Sequence, residues 1–190
     1  MQTTEYDGEH RIRYNLKRFG LLDRRQAAAA LRRLRQIGKS VPPRVWAAAF
    51  GCLWNRWATA RRRQLHRSTC LFGCDWGEDS IEHYAHCRMV HRFAHGHLHL
   101  HCRFARPLDY WMYATTDDAE STQTHWWERL ALLQYAVLRT TNAARLSGGI
   151  SGDCVNRALW QAVLEGAKGS KLMAVVHRLG AARAQPNPLP

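Results

Sequence analysis

The stretch Cys70-Leu71-Phe72-Gly73-Cys74-Asp75-Trp76-Gly77-Glu78-Asp79-Ser80-Ile81-Glu82-His83-Tyr84-Ala85-His86-Cys87 sets Cys70, Cys74, His83 and Cys87 at C-x3-C-x8-H-x3-C spacing. Three soft thiolates and one imidazole are the ligand set of a closed, tetrahedral structural zinc site. Gly73 lets the short Cys pair turn back so that both sulfurs face one point. Asp79, three residues before Glu82, reads as a capping box that opens a helix. On that helix His83 and Cys87, four residues apart, share a face. His86 can stand in for His83 or Cys87 as the fourth ligand. The competing reading is three ordinary buried cysteines and a chance histidine. Clustering of all four inside an acidic, turn-like segment favours the metal.

Outward from this stretch, 190 residues with 46% hydrophobic content suffice for one good core, with a small satellite around the metal. No apolar run approaches the ~18 residues of a membrane span. Met1 to His10 is polar and acidic, unlike a signal peptide, so the chain is expected to be intracellular and not secreted. A reducing compartment leaves Cys52, Cys102 and Cys154 as plain thiols.

Charge is the second informative feature. The formal net charge is +13, and residues 1–70 carry a balance of +12, residues 71–125 of −4 and residues 126–190 of +5. The excess is mostly arginine, whose planar fork suits phosphate and whose face stacks on bases. Nucleic acid, DNA or RNA, is therefore the expected partner, with a nuclear location; a solvated basic helix face is the plainer alternative. Arg56, Arg61, Arg62, Arg63, His66 and Arg67, just before Cys70, are the candidate phosphate contacts.

The periodicities predict a mainly α fold, in which a CCHC zinc knuckle leads into a helix and a helical C-terminal region follows. Residues 1–40 read as a basic helical arm, in which Asp23 caps a helix over Arg24–Ile37 with Leu31, Leu34 and Ile37 as its apolar stripe, and Gly38 stops it. Residues 41–114 read as a helix plus the zinc-binding domain. Pro42-Pro43 starts that helix, and its Trp46, Phe50, Leu53, Trp54 and Trp57 form a broad apolar face that is core rather than a base-stacking platform. It is expected to run into Arg61-Arg62-Arg63. The helix from Ser80 is expected to reach about His95. His97, His99 and His101 then either alternate on an extended face, as a second metal site would need, or sit on a solvated helix end.

Pro107 predicts a short helix through Tyr110–Tyr113, and Thr115–Thr124 a polar hinge loop. The C-terminal region, 122–184, holds three predicted helices. They run from Trp126 to about Leu146, from a cap at Asp153 to about Glu165, and from Ser170 to about Ala184. Residues 185–190 read as a disordered tail.

Nothing in the chain organises a catalytic constellation. Three cysteines and a histidine fill a zinc shell, and neither a phosphate-binding glycine loop nor a nucleophile elbow occurs. Asp109, Asp117, Asp118 and Glu120 are the one acidic set that suggests a Mg²⁺-dependent nuclease, but no lysine or apolar strand accompanies them. Catalysis by this chain alone is not expected.

Arg61-Arg62-Arg63, Cys70–Cys74 and Glu78–Cys87 together resemble the zinc-binding segment downstream of reverse transcriptase in non-LTR (LINE-type) retrotransposon proteins. The likeness covers residues 41–102. Trp54-Asn55-Arg56-Trp57 upstream, and Tyr135 with Asn142-Ala143-Ala144-Arg145 downstream, are similar in character to the flanking helices. The resemblance implies zinc ligation at Cys70, Cys74, His83 and Cys87, and an accessory role beside a polymerase domain or another protein partner. The family's polymerase aspartates have no counterpart here. Some relatives carry an endonuclease after the finger, and Arg106-Pro107-Leu108-Asp109 resembles its start, but its lysine-bearing acidic motif is missing. A protein-interaction scaffold with structural zinc and a remnant metal-dependent endonuclease are the alternative functions.

Overall fold

The computed structural model describes residues 3–17, 20, 23–63, 68–100, 107–115 and 125–184. Within these the chain is mainly helical: α1 (Thr3–Leu16), α2 (Arg24–Ile37), α3 (Pro43–Leu53), α4 (Ile81–His86), α5 (Arg88–Leu98), α6 (Pro107–Trp111), α7 (Trp126–Ser147), α8 (Gly152–Ala167) and α9 (Leu172–Ala184). The expectations for His66, Arg67, His101, Cys102, Asp117, Asp118 and Glu120, for most of the hinge loop and for the tail lie outside the described residues.

Helix α7 is the axis of the fold. Its sequence is apolar around most of its circumference, so no single face is left for water. Trp126, Leu130, Leu133, Ala136 and Val137 are buried along it, and so are Arg129, Gln134, Thr140 and Thr141. Helices α2, α3, α5 and α8 pack on it. Gln134, Arg129 and Thr141 find partners within the fold, Thr141 through the Leu138 carbonyl at 3.1 Å. Gln134 accepts from the Tyr113 hydroxyl at 2.8 Å and donates to the Trp111 carbonyl, and Arg129 donates to the Leu98 carbonyl at 3.0 Å. One continuous apolar cluster runs from Ile12 on α1 to Val176 on α9 and includes Cys70, Phe72, Ile81, Tyr84 and Cys87 of the metal segment.

Helix α2 has the predicted bounds. The Asp23 carboxylate accepts from Gln26 N at 2.8 Å while Asp23 N donates to Gln26 Oε1 at 3.0 Å, a reciprocal capping box. Its buried face is wider than the leucine stripe, because Ala27, Ala29, Ala30 and Arg33 join Leu34 and Ile37. Arg33 is no surface cation: it donates to the Tyr113 carbonyl at 2.8 Å and lies 4.3 Å from the Trp127 ring. Helix α1 escaped residue-level prediction since its first turns are polar.

Three boundaries differ from expectation. Helix α3 stops at Leu53, because Asn55 takes a left-handed conformation (φ 51°), so Arg61–Arg63 lie on a turn rather than a helix end. The predicted helix from Ser80 to His95 is broken at Cys87, which is extended (φ −64°, ψ 121°) and separates α4 from α5. Helix α8 begins at Gly152, with Ser151 rather than Asp153 at the cap position. The histidine stretch is helical to Leu98, not extended; His99 takes the left-handed cap, and His97 stacks on Phe93 at 4.6 Å.

Candidate metal centre and its basic flank

The segment before α4 folds back on itself. Cys70 N donates to the Gly77 carbonyl at 2.6 Å, Asp79 N to the Ser68 carbonyl at 3.0 Å, and Thr69 and Glu78 form an isolated antiparallel bridge. Gly73, at φ +79°, closes the turn that brings Cys74 beside Cys70. Ser80, not Asp79, caps α4, its hydroxyl accepting from His83 N at 3.1 Å. That cap fixes the first turn, which carries His83 inward.

Cys70, Cys74, His83 and Cys87 converge: their ligand atoms all lie within 4.8 Å of one another, and the group can hold a metal ion. The Cys87 Sγ is 3.9 Å from Cys70 Sγ and 3.4 Å from Cys74 Sγ. His83 Nε2 is buried without a hydrogen bond, as befits a nitrogen reserved for a ligand. His86 is exposed and stands outside the group.

The thiols share their protons unequally. Hydrogen bonding from Cys87 lowers Cys70 to about 4 despite its burial. Its partner Cys87 moves up, first through that same bond and then through burial, and burial raises Cys74. A metal must displace the protons of Cys74 and Cys87, so its affinity falls as pH falls.

Gly77 is dictated by this packing. A Cβ there would sit 2.0 to 2.4 Å from three atoms of the His83 ring. Gly77→Ala is therefore expected to push the imidazole off its position and weaken metal binding by about 10- to 100-fold. Competition with a colorimetric chelator measures it, and an unchanged affinity would show that the ring is not a ligand.

No family model, curated protein or solved structure matches this chain.

A second set of residues, whose pairing the sequence does not show, ties the segment to the core. Asp79 is 1% exposed and takes both nitrogens of a bidentate Arg145 fork from α7, the Tyr84 hydroxyl at 2.8 Å and Ala60 N at 3.0 Å. Burial, and then Asp79 beside it, push the Tyr84 hydroxyl above its ordinary range. Asn142, one turn earlier, accepts from Arg145 at 2.8 Å. Pairing across 66 residues leaves no local signal.

The basic flank is partly spent on the protein itself. Arg61 reaches Glu78 at 3.7 Å and Glu82 at 3.8 Å, balancing the acids of the metal segment. Arg44 donates to the Glu165 and Lys168 carbonyls at the end of α8. Arg56 lies 5.4 Å from the Phe50 ring, and Arg62 and Arg63 are exposed on the turn. Trp76, 85% exposed at the tip of the loop between Cys74 and Gly77, was not singled out in the sequence. Asp109 lies in the first turn of α6. Among the described residues no helix is long and apolar enough to cross a membrane.

Proposed function

We propose that this chain is a zinc-stabilised, mainly helical, nucleic-acid-binding module, an accessory region of the kind that follows reverse transcriptase in non-LTR retrotransposon proteins. The convergence of three thiols and one imidazole beside an arginine-rich turn carries the reading. The sulfur separations of 3.9 and 3.4 Å straddle the edge of a zinc–thiolate tetrahedron, about 3.8 Å for bonds of about 2.3 Å. Soft sulfur donors favour zinc over hard cations, and four protein ligands fill its shell, which suits a structural role.

Zinc would hold the Cys70–Gly77 turn against α4, and Arg61, through Glu78 and Glu82, would keep the neighbouring turn in register. Arg62 and Arg63 then face outward to phosphates, with Arg56 on the same flank. Such contacts are directed to the backbone and depend strongly on salt.

Arg62→Ala with Arg63→Ala is expected to weaken DNA or RNA binding about tenfold at low salt and to lower the salt slope by about 2. Melting temperature and zinc content should not move. Gel retardation over a salt series measures it, and unchanged affinity at low salt sinks the proposal. The exposed Trp76 and Leu146 favour a second reading, a protein-interaction scaffold, to which a complete absence of retardation would point.

A further inference from the structure

An apolar cavity of about 410 Å³ opens between α5, α6 and α7, away from the basic turn and used by neither the metal nor the phosphate reading. Val90, Ala94, Leu130 and Leu133 form its walls, with Trp111 beside them. Trp111 is 4% exposed, and its indole N–H is buried without a hydrogen bond. A buried donor left unmade is costly, and an acceptor on a bound molecule would answer it. Among the described residues the exposed members of the lining are Arg92 and His95, and no Asp or Glu lines the cavity. The Ala85 carbonyl at one end already receives His91 Nε2 at 2.6 Å.

From these features we infer that the cavity binds a small amphipathic anion, an aromatic or aliphatic body carrying a carboxylate or sulfonate. The body fills the space between the helices, where apolar walls of this volume suit a compact organic ligand. The acid group lies at the rim against the Arg92 guanidinium, a charge-assisted contact. The anion gains a cation there, while a neutral molecule of the same shape gains only the walls.

Two fluorescent probes of matching shape separate these contributions: anilinonaphthalene sulfonate, which carries the anion, and N-phenylnaphthylamine, which lacks it. The metal-loaded protein is expected to bind one equivalent of the sulfonate saturably, with a blue-shifted emission. Arg92→Gln should weaken the sulfonate about tenfold and leave the neutral probe within about twofold. Ala94→Trp, which fills the cavity, should abolish both, and Ala94→Met, a milder filling, should weaken both if the tryptophan variant fails to fold. Several equivalents bound, equal loss of both probes in Arg92→Gln, or undiminished binding in a folded Ala94 variant would overturn the assignment.

Discussion

Cys74→Ser is expected to reduce bound zinc from one equivalent per chain to near zero and to lower the melting temperature by at least about 10 °C. Structural zinc in small fingers is worth about 10–16 kcal/mol of folding free energy. The segment around it has little else of its own, a single bridge between Thr69 and Glu78 and a six-residue helix. Without the metal, Cys70 and Cys87 remain buried beside each other, and the Cys70–Gly77 turn is left with the packing of Phe72 on Tyr84 as its hold on α4. Phe72, Ile81 and Tyr84, all buried, then lose the geometry that packs them. Elemental analysis with thermal melts, repeated on the unaltered chain after chelation, reads both effects. Zinc absent from the unaltered chain, or a variant that keeps its zinc and its melting point, would remove the reading.

Arg145→Ala should cost about 3–5 kcal/mol, since removing the part-buried arginine strands the charge of the buried Asp79. Asp79 keeps the Tyr84 hydroxyl and Ala60 N, but neither neutralises a carboxylate. For a chain of this length the loss corresponds to a melting temperature lower by roughly 6 to 20 °C. Asp79→Asn added to Arg145→Ala removes the stranded charge and should recover part of the stability, so the two substitutions are far from additive. Equal losses in the single and double variants would mean that the pair contributes through packing alone.

The parts of this fold that were legible are those encoded locally. The Asp23 cap and the alanine run of α2, the proline start of α3 and the long apolar helix α7 each carry their signal within a few residues, and α2 and α7 lie close to their expected bounds. The Cys70–Cys74–His83–Cys87 cluster was legible for the same reason, four candidate ligands crowded into one short stretch. The errors came from competition between neighbours or from distance. Asp79 and Ser80 both suit an N-cap, and the sequence cannot show that Asp79 is claimed by Arg145. Nor does it show that Cys87 is extended, since the pattern from Ile81 to Leu98 is apolar at helical spacing across the break. Trp76 looks like any aromatic until the loop holds it outward.

The Asp79–Arg145 pair also orders events in time. During synthesis the four metal ligands emerge together, within 18 residues, so their segment can gather around an ion as soon as Cys87 has left the ribosome. Arg145 follows 58 residues after Cys87, about 3 to 12 s later at ordinary translation rates. Through that interval Asp79 has no cation from α7, so the segment lacks its tie to the core. Its final seating waits for the helix that the rest of the core also needs.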